Sequence, residues 1–302
     1  MSVNYTTSSL NVAGLQVTVY KNAVLGDDIA NLPVAVMILT HGRTGKHDDE
    51  YMLSIINSNF EYFNEQRKVD KPSRDLVIVA FDHRNHGHRT VNAKNNFSFG
   101  GEEGKFDTGN DTHVIDTYGI FTGTGRDYSF LVDFLPPYLY RNDERTIDLW
   151  IASGVSLGGN ATWIALANEP RITMAIPIIG SPKNANMYQS RAAERGVPFA
   201  PPFVPNSMVA LMQRLDPASK PNKLNEPGNP YVGKKILVLA GAEDKLVPHS
   251  VGASYIDELE VGPSGVKEVY VQPGTGHFPG TPEMQSKMVE FLWKYALGPA
   301  AA

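Results

Sequence analysis

Short apolar runs separated by longer stretches of helical periodicity dominate this chain. The runs span Val34 to Leu39, Leu76 to Phe81, Leu149 to Ala152, Ile172 to Ile179, Ile236 to Ala240 and Val266 to Val271. They are rich in Val and Ile and do not alternate strictly, as expected of strands buried on both faces of a parallel sheet. Gln16 to Tyr20 does alternate and reads as an antiparallel edge strand. Helices are predicted over 48–66, 111–140, 158–168, 249–260 and 281–296, with Gly123 and Gly125 expected to break the second. Strands alternating with helices give the fold class α/β: a mostly parallel twisted sheet, right-handed crossovers and helices on both faces.

Two stretches interrupt the alternation. Residues 89–110 form a long polar loop after a strand. Residues 181–232 are rich in proline yet carry Met187, Tyr188, Phe199, Phe203, Met208, Leu211 and Met212, too many apolar groups for a linker. The organisation expected is a core of 1–180 and 233–297, a cap or lid over 181–232, and a disordered tail over 298–302. Of the cap residues, Met187, Tyr188, Phe199, Phe203 and Met208 are candidates for substrate contact.

Composition narrows the function classes. Among 302 residues, 42% are hydrophobic, enough for a large core, and the net charge of −5 offers no basic footprint for nucleic acid. The absence of cysteine removes disulfides, thiolate nucleophiles and zinc–cysteine sites. No basic segment leads into an apolar one at the N-terminus, and no apolar run approaches a membrane span, so a cytoplasmic protein is expected. A homodimer stays open; Trp163 and Trp293 are read as core in preference to dimer surface.

The chemistry begins at Gly154-Val155-Ser156-Leu157-Gly158, which directly follows an apolar run and opens a predicted helix. Gly-x-Ser-x-Gly fixes only three positions and occurs by chance. Between a strand and a helix it describes a nucleophile elbow, a strained turn that exposes the serine Oγ and needs small residues two positions away on either side. A serine needs a base, and the base an orienting acid. Asp244 follows the run Ile236 to Ala240, and His277 follows the run Val266 to Val271. Both therefore fall at the carboxyl ends of later strands, in the chain order Ser, Asp, His. Glu243 is the only nearby competitor for Asp244. The Leu157 N–H, at a helix N-terminus, is the first candidate oxyanion donor.

With these residues the chain resembles the α/β-hydrolases, nearest their esterase and prolyl-oligopeptidase-like branches, from His41-Gly42 to the helix after His277. The family's acid loop, Gly-x-x-Asp-x-x-Val-Pro, is matched in full by Gly241 to Pro248. The resemblance implies an α/β-hydrolase fold with Ser156 as nucleophile, Asp244 as acid and His277 as base. It also implies Arg43, the residue after His41-Gly42, as the second oxyanion donor. The Arg43 guanidinium could meet an acidic substrate group, but an exposed or Asp/Glu-paired side chain is the simpler expectation. Asp82, Arg84 and His86 match the family's Asp-x-Arg-x-His-Gly loop, implying a structural brace in preference to a metal site; Asp107, Asp111 and His113 are assigned to caps and turns. Neither Gly42 to Lys46 nor Gly123 to Gly125 has the spacing of a nucleotide loop, so no cofactor and no metal are expected.

The function implied is hydrolysis of a small or medium carboxylic ester through an acyl-enzyme. A thioesterase, lactonase or amidase would use the same triad, and a non-catalytic ligand-binding protein could share the fold.

Overall fold

The computed structural model describes residues 4–23, 26–100 and 109–299. The apolar runs become strands of one sheet: β1 (Tyr5–Val12), β2 (Leu15–Asn22), β3 (Val34–Thr40), β4 (Asp75–Ala80), β5 (Ile147–Val155), β6 (Ile172–Ile178), β7 (Lys235–Gly241) and β8 (Val266–Gln272). Their spatial order is β1-β2-β4-β3-β5-β6-β7-β8. The strands from β3 onward are parallel to their neighbours, while β1 and β2 pair antiparallel with each other and β2 antiparallel with β4. The helices are α1 (Asp27–Ala30), α2 (Glu50–Gln66), α3 (His113–Leu139), α4 (Leu157–Asn168), α5 (Asn184–Glu194), α6 (Asn206–Leu215), α7 (His249–Glu258) and α8 (Pro282–Leu292).

Strand β3 shows why its run had to be apolar throughout. Val34, Val36 and Ile38 pack into the cluster under α3 and α4, while Ala35, Met37 and Leu39 pack into the cluster under α2 and α8. Residues alternate between faces, but both faces are dry. Trp163 and Trp293 each fill one of these clusters and so belong to the core.

Two sequence expectations are corrected here. Gln16 to Tyr20 lies in β2, which is antiparallel but internal; β1 covers it and forms the edge. The Thr- and Ser-rich β1 has too little apolar signal to be seen alone, although Ala13 and Gly14 link the hairpin with φ of 46° and 94°. Nor is α3 broken at Gly123 and Gly125. A Cβ on Gly123 would come within 2.7 Å of the Arg84 side chain, and one on Gly125 within 2.7 Å of Ile164 Cγ2. These glycines serve close packing inside a continuous helix.

The insertion folds as α5, α6 and a 3₁₀ turn at Pro217–Ser219. Met187, Tyr188, Val204, Met208 and Met212 are buried and join the cluster on the α3 and α4 side. The Tyr188 ring stacks parallel to Phe121 of α3 at 6.4 Å between centroids. Of the predicted polar loop, 101–108 (with Asp107) lie outside the described residues, as do 300–302 of the expected tail. Among the described residues no helix is long and apolar enough to cross a membrane.

Candidate active site

Ser156 sits between the end of β5 and the start of α4 with φ 57° and ψ −108°. This is a costly conformation for a side-chain-bearing residue, held in place by its surroundings. Its N–H donates to Ile178 O of the neighbouring strand at 2.8 Å, and Gly158 N–H donates to His41 O at 3.1 Å. The flanking glycines are sterically required. A Cβ on Gly154 would lie 2.5 Å from the Gly158 backbone, and one on Gly158 would lie 2.4 Å from Thr40 O.

Asp244 and His277 extend from the loops after β7 and β8 to the same point. His277 Nε2 is 2.9 Å from Ser156 Oγ, and His277 Nδ1 is 2.7 Å from Asp244 Oδ2. The other carboxylate oxygen, Asp244 Oδ1, accepts from the N–H groups of Leu246 and Val247 at 2.8 Å each. Burial opposes ionisation of Asp244, but the His277 ring and the two backbone N–H groups outweigh it and hold the carboxyl below its usual range. An ionised carboxylate can only accept, so Nδ1 of His277 carries the ring proton. Nε2 is then the acceptor facing the Ser156 hydroxyl. Glu243, beside Asp244 in the chain, is exposed.

The loop after β3 is fixed by buried imidazoles. His41 Nδ1 donates to Gly42 O at 2.7 Å, while His41 Nε2 accepts from His83 N–H at 3.1 Å. His83 in turn holds His41 O at 2.8 Å and Thr124 Oγ1 at 2.7 Å. Burial drives the His41 pKa down to about 4 and that of His83 well below normal, so both rings are neutral and can accept at one nitrogen. Gly42 N–H is consumed by Tyr51 Oη at 2.7 Å. Among the described residues the N–H groups of Arg43 and Leu157 have no acceptor, and both residues line the cavity at Ser156.

That cavity, about 310 Å³, is lined by Ser156, His277, Gly42, Tyr51 and Tyr188 among others. Of the five predicted substrate contacts, Tyr188 alone lines it. Met187 is buried in the core, Met208 borders a separate depression beside α6, Phe199 borders another, and Phe203 packs partly buried against the core. Apolar character selected these residues, but most of it serves to anchor the insertion. Tyr51 and Arg191 also line the cavity and went unseen in the sequence. Arg191 lies three residues after Tyr188 on α5, the spacing that places two side chains on one helix face.

No family model matches the chain, and no curated protein matches it either. Solved structures do. TT1662 from Thermus thermophilus superposes with a TM-score of 0.64 at 20% identity, over 96% of this chain and 97% of that one. Est1E from Butyrivibrio proteoclasticus, bound to ferulic acid, gives 0.58 at 16% identity over 95% and 98%. Acetyl xylan esterase 1 from Thermoanaerobacterium sp. gives 0.55 at 15% identity over 98% and 86%. The chain has the α/β-hydrolase fold. At these identities the likeness speaks for architecture, and the chemistry rests on the site.

Within this α/β-hydrolase fold the loop after β4 is a hydrogen-bonded brace. Asp82, fully buried, accepts from the N–H groups of His47 and His88 and contacts both of their rings at 3.0 Å. Arg84 and Arg89 each reach Asp127 of α3 at 3.0 Å. His47, Asp82 and His88 bring potential metal ligands within 4.8 Å of one another. Each of these ligand atoms already has a partner inside the trio, which explains the cluster without an ion. His113 Nδ1 donates to Phe97 O at 2.8 Å and ties the start of α3 to that loop, with burial lowering its pKa to about 3. Asp111 lies in the turn just before α3.

Proposed function

We propose that this protein is a serine hydrolase that cleaves carboxylic esters of small substrates through an acyl-enzyme. The observation that carries the reading is the unbroken hydrogen-bonded chain from Ser156 Oγ through His277 to Asp244, opening into a cavity of about 310 Å³. His277 Nε2 takes the Oγ proton as Ser156 attacks the ester carbonyl, and then delivers it to the departing alkoxide. Asp244 holds the ring in the tautomer that leaves Nε2 free and stabilises the imidazolium. The Leu157 and Arg43 N–H groups receive the oxyanion, each contributing about 3 kcal/mol to the transition state. Water then enters, gives its proton to His277, and releases the acid from Ser156 by the same steps reversed.

Esterases among the structural neighbours support a carboxylic ester as the substrate bond. The insertion over 181–232 would act as a cap, since Tyr188 and Arg191 reach the cavity from α5. The test is labelling by a fluorophosphonate probe. Rapid labelling of the wild type that is lost in Ser156→Ala and His277→Ala is expected. A folded wild-type protein that resists the probe and hydrolyses no 4-nitrophenyl ester would favour a ligand-binding protein on the same fold.

A further inference from the structure

Two arginines line the Ser156 cavity, and among the described residues neither meets a carboxylate. Arg43 Nη1 donates to Asn96 O at 2.7 Å, and Arg191 Nη2 donates to Leu246 O. Among the described residues no Asp or Glu oxygen comes within 4.0 Å of either guanidinium. Among the described residues Arg191 Nε is buried with no acceptor. In place of the acid partner or exposed position expected for it, Arg43 is partly buried and, among the described residues, its guanidinium bonds a carbonyl.

This arrangement is electrostatically unfavourable by itself. Burial weakens the protonated form of both side chains, and the Arg43 charge weakens that of Arg191 further. Asp244 and Glu194 are the acids that act on Arg191 through space, but Asp244 is already committed to His277 and two backbone N–H groups. The Tyr188 ring, 5.6 Å beneath the Arg191 guanidinium, offers a π-face without neutralising it. The same positive field reaches His113, where burial and then Arg43 and Arg191 keep the imidazole neutral. Guanidinium donors held in a fixed fork are suited to a planar carboxylate, which accepts two parallel bonds.

We infer that the substrate is an ester bearing a second, free carboxylate, which Arg43 and Arg191 receive inside the cavity while Ser156 attacks the ester carbonyl. The inference rests on the hydrolase reading above only for the ester bond. Anion binding itself needs no turnover. The small cavity limits the substrate to a short chain, on the scale of a dicarboxylic acid monoester or an acylated short hydroxy acid.

The experiment measures kcat/KM for two isosteric pairs. Monomethyl glutarate is compared with methyl 5-methylhexanoate, and 4-acetoxybutanoate with 4-methylpentyl acetate, which puts the carboxylate on the acyl side or the alcohol side. The wild type is expected to prefer the anion in one pair by about 100-fold, the scale of losing a buried charge partner. Arg191→Gln and Arg43→Gln should collapse that ratio, and Arg191→Lys should keep part of it. Equal or faster cleavage of the neutral esters, with a ratio that Arg191→Gln leaves in place, would overturn the inference while leaving the hydrolase intact. If the folded protein cleaves none of the four, glutarate binding to Ser156→Ala by calorimetry decides. Binding that Arg191→Gln weakens about tenfold or more supports the anion site, and no binding at millimolar glutarate overturns it.

Discussion

Asp244→Asn tests the logic of the site more sharply than removal of the serine, because shape is kept and one acceptor becomes a donor. Two orientations are open to the new amide. In the first, its oxygen stays on the Leu246 and Val247 N–H groups, each 2.8 Å from Oδ1 in the wild type, and its NH₂ faces His277 Nδ1. His277 must then carry its proton on Nε2, pointing at Ser156, where it cannot serve as a base. In the second, the amide flips and the tautomer is preserved, but its NH₂ now faces two backbone donors. Two unsatisfied donors cost about 1–3 kcal/mol each, so the competent orientation is disfavoured by about 2–6 kcal/mol. That corresponds to a loss of activity between about 30-fold and well over 10⁴-fold. The missing negative charge beside the imidazolium adds to it, and about 10⁴-fold is the scale seen when an acid-to-amide change imposes the wrong tautomer in Ser-His-Asp enzymes. The assay is kcat/KM on 4-nitrophenyl acetate, with thermal denaturation to show a folded protein. Glu243→Gln, at the exposed neighbouring position, should stay within about twofold of wild type. A folded Asp244→Asn enzyme that loses less than tenfold would refute the tautomer argument.

Three further outcomes are expected. Gly158→Ala pushes a methyl to 2.4 Å from Thr40 O and should destabilise the fold by about 1–3 kcal/mol and abolish fluorophosphonate labelling. Gly119→Ala, with open space around an exposed helix position, should instead be neutral or slightly stabilising; thermal midpoints that rank the two variants the other way would sink the close-packing argument. The hydrogen bond to Asp82 raises the His47 pKa above the ordinary imidazole value of about 6.5, against the opposing effect of burial. A raised folded-state pKa means that its contribution is complete below pH 6.5 and disappears as pH rises through the raised value. The difference in urea midpoint between wild type and His47→Gln should therefore shrink from about pH 5.5 to about pH 8.5. A pH-independent difference would mean that His47 acts by packing alone.

The sheet was legible from sequence because strands buried on both faces are apolar almost throughout, and β3, β4, β6 and β7 keep that pattern apart from polar residues near their ends. Ser156, Asp244 and His277 were nameable for a related reason. Each belongs to a short local pattern at a strand end, and parallel strands deliver all such ends to one edge. Strand β1 escaped because its outward face is polar and its pairing, with β2, is what makes it a strand. The two glycines of α3 misled because a gap in a helix and a contact surface on a helix look alike until Arg84 and Ile164 are in position. Apolar residues in the insertion could not be sorted into anchors and cavity wall, since hydrophobicity records burial but not against what. Arg43 and Arg191 are 148 positions apart in the chain, and only the close approach of α5 to the loop after β3 leaves both charges in one cavity with no acid beside them among the described residues. A missing counter-charge is a property of distances in space, and sequence order carries no record of it.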